Sequence, residues 1–361
     1  MKKHFERISD PRQGWKTEYN LQEIIIMTVC AVISGCEYWE DIVDFSRVKE
    51  EWYREKLGLT LKNGIASHDT FQRIFQLINP KEFEKSFLSW IKSVARKTKG
   101  EIISIDGKTA RGSQDAKTKA IHMVSAWANV NQLVLGQVKT DEKSNEITAI
   151  PTLLKMLELK DCIVTIDAMG CQKDIAGKIA KAQADYVFGL KGNQTGLHED
   201  VKLYFDHMKV SAKTVTKEKG HGRIETREYF LETDIDWLPQ KPEWAGLNAI
   251  GMVKSKVWEK DILREETRYY ITSLIDVTVF AKAVRAHWGI ENSLHWCLDA
   301  VFREDLNRTR KDNSAENFAV IRHIALNILK NHPVNMSLAR KRRKCQYDAN
   351  FMADVLMDAF Q

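Results

Sequence analysis

Apolar residues recur every three or four positions through the first hundred residues. The segments "LQEIIIMTVCAVISG", "WEDIVDFSRVKEEWYREKLG", "SHDTFQRIFQLI" and "PKEFEKSFLSWIKSVARKT" all carry this spacing, which predicts helices. Ser67 and Asp69 suit a helix start, Gly35 and Gly58 suit helix ends, and Pro80 separates the last two segments. Residues 1–100 read as a small helical domain.

The pattern changes at residue 101. "EIISID", "IHMVSAWAN" and "QLVLGQVKT" are short β-rich runs, the last two joined near Asn129–Asn131 as a hairpin. "NEITAIPTLLKMLEL" predicts a helix from Asn145. "CIVTIDAMG" is apolar in the manner of a strand covered on both faces, and "QKDIAGKIAKAQ" and "DYVFGLKGN" follow as helix and strand. Three antiparallel strands, a helix, then strand–helix–strand predict an α/β fold with one mixed sheet and helices on its faces. Residues 194–275 read as a β-rich insertion without long helices. "TVFAKAVRAHWGIENSLHWCLDAVF" predicts a long helix returning to the sheet, and residues 314–330 and 336–360 are helical in pattern. The expected division is 1–100, 101–330 and a basic helical segment, 331–361.

Charge adds one feature. The chain has 361 residues and a net charge of +6, too modest to identify a nucleic-acid partner. Residues 303–345, however, hold 11 Lys/Arg against 4 Asp/Glu, so the remainder is close to neutral. The excess peaks at Arg340, Lys341, Arg342, Arg343 and Lys344. Such a run suits either phosphate contact or a solvated helix face. The six cysteines form no Cys-x-x-Cys pair, which argues against a zinc or redox motif and for reduced thiols in a cytoplasmic protein. The longest apolar run is too short to span a bilayer, and no signal peptide is expected.

Two apolar strands run into a carboxylate: "IISID" at Asp106 and "CIVTID" at Asp167. Ligands of open sheets collect at the carboxyl ends of strands. Glu291, in "HWGIENSLHW", is a third candidate. Three carboxylates gathered there would need cations, and magnesium suits hard oxygen ligands. Each also has an ordinary reading: Asp as a turn former, Glu as a solvent-facing helical residue. His287 and His295 lie four residues either side of Glu291 on one helix face. Such a face could hold a transition metal, although it lacks the His-Glu-x-x-His spacing.

Longer motifs narrow the choice. "DGKTARGS", "KTDEKSNEITAIPTLLKMLELKDCIVTIDAMGCQKDIAGKIAKAQADYVFGLKGNQ", "HGRIETR", "RYYITS", "VRAHWGIENSLHWCLDAVFRED" and "RHIALNILK" together resemble transposases of the ISAs1 family, which includes the H-repeat-associated proteins. The segment from Asp10 to Ile42 and "SHDTFQRIF" resemble that family's N-terminal associated domain. The resemblance runs from about residue 8 to 356.

It implies a DDE transposase with a ribonuclease-H-like core. Asp106, Asp167 and Glu291 would be its acids and would hold two magnesium or manganese ions, Asp106 bridging. Water would cut a phosphodiester at each element end, and the freed 3′-hydroxyl would attack target DNA. The implied partner is double-stranded DNA, as element ends and target, with a homodimer formed on it and no membrane. Gly107 would permit close approach, and Lys108 would offer charge to a phosphate. The Tyr-x2-Arg-x3-Glu-x6-Lys pattern of the broader IS4-like group is absent, because Val284, His287 and Leu298 stand at its other positions. Arg285, His287 and His295 would be the substitute DNA contacts, and backbone contacts would come from the basic segment with Arg340, Lys341, Arg342, Arg343 and Lys344 and from the β-rich insertion, beside Lys108. A nuclease without strand transfer and a DNA-binding relic are the alternatives.

Overall fold

Several predicted helix starts carry a side-chain cap in the computed structural model, which describes residues 1–361 except 15–16, 97, 115, 117–118, 141–144, 209, 211, 221, 260–261 and 361. The first hundred residues form α1 (Lys2–Phe5), α2 (Leu21–Ile33), α3 (Trp39–Val48), α4 (Glu50–Leu57), α5 (His68–Leu77) and α6 (Pro80–Val94). The Asn20 side chain accepts from the backbone N–H groups of Gln22 and Glu23, Ser67 from Thr70, and Asn79 from Lys81 ahead of Pro80. These side chains satisfy donors that have no partner inside the helix. Gly58 ends α4 with φ +60°, a conformation that glycine adopts at little cost.

One nine-stranded sheet follows. Its strands are β1 (Ile102–Ala110), β2 (Ile121–Ala128), β3 (Leu133–Lys139), β4 (Ile163–Ile166), β5 (Asp185–Leu190), β6 (Lys213–Gly220), β7 (Arg223–Glu232), β8 (Ala249–Glu259) and β9 (Ile262–Thr272), in the order β3-β2-β1-β4-β5-β9-β8-β7-β6. The first three are antiparallel, and β1, β4 and β5 are parallel. This is the expected mixed sheet with ribonuclease-H-like order. Helices α7 (Glu146–Met156) and α8 (Lys173–Lys181) make the crossovers. The insertion joins the sheet: β9 pairs antiparallel with β5 and carries β8, β7 and β6 outward.

Three expectations change. Thr195–His207 form a thirteen-residue helix, α9, inside the supposedly helix-poor insertion. Its buried stripe is only Leu197, Val201 and Phe205, one residue per turn among polar neighbours, too thin to stand out. Second, β1 runs to Ala110 and does not end at Asp106. Third, the long helix is α10 (Val277–Ile290), a π-helical turn (Glu291–His295) and α11 (Trp296–Ala300). Helix α12 (Ser314–Asn331) follows, then α13 (Leu338–Tyr347) and α14 (Ala349–Phe360).

The chain's two ends share one core. Helix α2, apolar on nearly every face, packs with Phe71, Phe87, Phe318, Ile324, Met352 and Leu356 in a single cluster. A helix hydrophobic all round must be covered all round, and α12 to α14 complete that cover. Arg342 crosses the same interface. It donates to the carbonyl of Val32 (2.7 and 3.1 Å), to that of Val301 and to Glu37 (2.7 Å), with its guanidinium 4.3 Å from the Phe302 ring centre.

Two predictions follow from these buried charges. Arg342→Ala leaves the buried Glu37 carboxylate without its cation and should cost about 3–5 kcal/mol, read as a lower urea midpoint. Glu84 on α6 accepts from the Gln137 N–H of β3 (3.1 Å), and burial pushes its carboxyl from the ordinary 4.5 up to about 8. The folded state therefore keeps a proton that the unfolded chain releases. Stability linked to Glu84 is complete below pH 4.5 and is lost as pH rises through about 8. Glu84→Gln should flatten the denaturation midpoint across that window.

Candidate active site

Strand register brings the first two acids together. Ile105 lies opposite Ile166, so Asp106 and Asp167 are the next residues on two adjacent parallel strands. There β4 stops and β1 continues with β2 alone. Asp106 Oδ1 accepts from the Gly107 N–H (2.9 Å). Asp167 Oδ1 accepts from the N–H groups of Met169 (3.0 Å) and Gly170 (3.3 Å), so it makes the ordinary turn as well.

Glu291 begins the π-helical turn between α10 and α11 and is exposed. Such widened turns occur frequently at functional sites. Helix α10 lies across β1 and β4: Ser104 Oγ donates to the Ala286 carbonyl (3.3 Å), and Thr165 Oγ1 meets His287 Nδ1 (3.0 Å). At the far end of the turn, His295 Nδ1 stands 3.6 Å from Asp106 Oδ2.

The site holds excess negative charge. Burial, followed by the carboxylates of Glu146, Asp167 and Glu291, pushes Asp106 up to about 7 against its hydrogen bond from Gly107. Burial also raises Asp167, with Glu146 adding to the rise. Among the described residues, no three His, Cys, Asp or Glu side chains close into a metal cage. The donor set nevertheless fits a hard divalent cation: it is built of carboxylates that raise one another, with Lys191 acting against the rise at Asp167.

Glu146 is a fourth acid that the sequence did not reveal. It stands in the first turn of α7, where an acid is unremarkable, behind the Asn145 cap. Its Oε1 lies 2.8 Å from His122 Nε2, and His122 Nδ1 lies 2.8 Å from Thr109 Oγ1. An ionised carboxylate only accepts, so His122 Nε2 is the donor of that pair. This chain presses on Gly107, where a Cβ would stand 2.2 Å from Glu146 Oε1 and 2.3 Å from His122 Nε2. The close approach expected at Gly107 is thus made by protein side chains.

The sequence matches two family descriptions: "DDE_Tnp_1-associated" over residues 2–91 and "Transposase DDE domain" over residues 97–328. The chain belongs to the transposase DDE family. The H repeat-associated putative transposase YhhI of Escherichia coli (strain K12) is 43% identical, over 98% of this chain and 96% of that protein. The putative transposase YncI of Escherichia coli O157:H7 is 44% identical, over 97% and 92%. Among solved structures, a piggyBac transposase synaptic complex with hairpin DNA is similar at TM-score 0.46 and 11% identity, over 97% of this chain and 78% of that one. The family as a whole works with divalent metal, and among the described residues no helix is long and apolar enough to cross a membrane.

Several supposed DNA contacts of this transposase lie elsewhere. Lys108 is enclosed by Asp299 (2.7 Å), Glu304 (3.0 Å) and Asp305 (3.4 Å), so its charge is already spent. Lys341 is buried and donates to the carbonyls of Leu329 and His332 (2.8 and 2.7 Å), and Arg342 is buried as described. Both carbonyl sets need these donors, which removes the two residues from the phosphate-contact set. Lys344 packs over Phe351 and faces Asp348 at 3.8 Å. Arg340 and Arg343 are exposed. Burial pushes both His287 and His295 down to about 4, so neither offers a cation at neutral pH. Arg285 donates from Nε and Nη2 to the two oxygens of Glu218, both at 2.9 Å.

Gly107→Ala should force the Glu146–His122 pair off β1. The expected loss is about 1–3 kcal/mol of stability, measured by denaturant titration. Gly177→Ala, whose added Cβ would meet nothing within 4 Å, should instead leave stability unchanged or slightly raised.

Proposed function

We propose that this chain is an insertion-sequence transposase of the ISAs1 type, cutting DNA at element ends and joining the freed 3′ ends to target DNA. The observation that carries the reading is the register of β1 and β4: it sets Asp106 and Asp167 side by side where the pairing ends, with Glu291 charge-coupled to Asp106. Full-length similarity to proteins named as transposases supports it.

Asp106, Asp167 and Glu291 would hold divalent ions, magnesium or manganese, two in number, which when bound supply an activated water and stabilise the leaving oxygen. Glu146, Asp167 and Glu291 all act on Asp106, which would make it the acid most in need of a cation. Glu291, exposed at its turn, faces solvent where DNA would arrive. His295 Nδ1, 3.6 Å from Asp106 Oδ2, lies beside that carboxylate. Arg340 and Arg343 remain to contact duplex backbone, and a homodimer on DNA would pair two element ends.

Asp106→Asn, Asp167→Asn and Glu291→Gln test the assignment. Each keeps side-chain size and removes one negative charge from the site. Cleavage of element-end duplex in magnesium or manganese should fall by orders of magnitude, while duplex binding without metal holds or rises slightly as phosphate repulsion is relieved. Binding and cleavage must be measured on the same purified variants. Near wild-type cutting by all three variants would falsify the assignment. Wild-type binding without cutting would favour a relic, and cutting without joining would favour a nuclease.

A further inference from the structure

The insertion projects past the acidic edge. Pairing of β5 with β9 stops at Leu190–Tyr269. The parts of β8 and β9 beyond Val253–Arg268, with β7 and β6 beside them, form an arm beyond that edge. Arg227 lies opposite Ser255, and Tyr229 opposite Val253, which in turn faces Arg268. These residues share one face of the arm, and that face meets Arg285 and Trp288 of α10 around a small cavity.

The cavity is lined by three guanidiniums, each paired with a carboxylate: Arg227 with Glu225, Arg268 with Glu266 (2.7 Å) and Arg285 with Glu218. The Arg268 and Arg227 guanidinium carbons stand 4.7 and 5.6 Å from the Trp288 ring centre. Arg227 has 6% of its side chain exposed and pairs through Nη2 with the buried Glu225, while its Nη1 makes no hydrogen bond among the described residues and Glu218 Oε2 is 3.5 Å away. The Tyr229 hydroxyl and Thr216 Oγ1 are likewise buried without a partner. Leaving a buried donor unpaired costs about 1–3 kcal/mol, and two of these groups, Arg227 Nη1 and the Tyr229 hydroxyl, line the cavity, with Thr216 opposite Arg227 on β6. The two oxygens of Glu218 pair with Arg285, and this residue sits half-exposed on the outermost strand.

We propose that Arg227, Arg268 and Arg285 form a pocket for one backbone phosphate of duplex DNA, and that the Glu218 carboxylate holds that place until DNA arrives. A guanidinium accepts carboxylate or phosphate in the same two-point geometry. A phosphate brings further oxygens, enough to reach the Arg227 and Tyr229 donors that a carboxylate leaves unpaired. Arg285 and Trp288 lie within two turns of Glu291 on the same helix, so a phosphate held here sits beside the proposed cleavage site. The pocket rests on the DNA reading above.

Salt-dependent binding of a duplex by the full chain tests it. Arg268→Gln and Arg285→Gln should each weaken binding and shallow the slope of log affinity against log salt by about 0.9, one phosphate's share. Glu218→Gln should tighten binding several-fold, which a folding defect cannot do. That gain should vanish in the Glu218→Gln, Arg285→Gln double variant. Inorganic phosphate should compete no better than chloride at equal ionic strength, and effective competition would reassign the pocket to free phosphate and overturn the proposal. If wild type binds duplex and all these variants match it, the pocket fails while the DNA reading stands. If wild type binds no duplex, both fail.

Discussion

A single ammonium ties the proposed site together. Lys108, two residues beyond Asp106 on β1, is enclosed by Asp299, Glu304 and Asp305 from the segment that follows Glu291. The first acid's strand and the third acid's helix are therefore joined by three ion pairs at one point. Burial pushes Glu304 up, but Arg322 and Lys108 outweigh it and hold its carboxyl below the ordinary range. Arg322 extends the link to α12 at 3.5 Å. Buried charges are costly unless paired and hydrogen-bonded, so this cluster tolerates few arrangements. Backbone follows the same path: a Cβ on Gly112 would stand 2.2 Å from the Asn307 carbonyl.

The sheet was legible in the sequence wherever a local signal coincided with its tertiary role. Asn145, Ser67 and Pro80 mark helix starts because capping is a local matter. Asp106 and Asp167 could be paired on paper because both interrupt apolar strands. Glu146 could not, since an acid in a first helical turn is commonplace and its importance comes from a fold that sets it beside Gly107. The motifs "HGRIETR" and "RYYITS" contained Arg227 and Arg268, but nothing in their spacing showed that they would meet over Trp288.

The basic run was misjudged for a related reason. Charge counted along a chain says nothing about which helix face is covered. On α13, Lys341 and Arg342 turn inward to carbonyls and to Glu37, while Arg340 and Arg343 turn outward. The π-helical turn had a similar effect on the histidines. Spacing of four placed His287, Glu291 and His295 on one face, but the widened turn leaves Glu291 exposed while His287 rests on Thr165 and His295 reaches toward Asp106.

The shared core of the two chain ends has a consequence for synthesis. Residues that seal α2, Met352 and Leu356 among them, are made some three hundred residues after it. Until then an apolar helix has no complete partner, and contacts so distant in sequence form slowly. The nascent chain thus passes through a long interval with sticky surface exposed, the condition under which chaperones are recruited and aggregation competes with folding. Every new copy of this protein would be vulnerable until α12 to α14 are released.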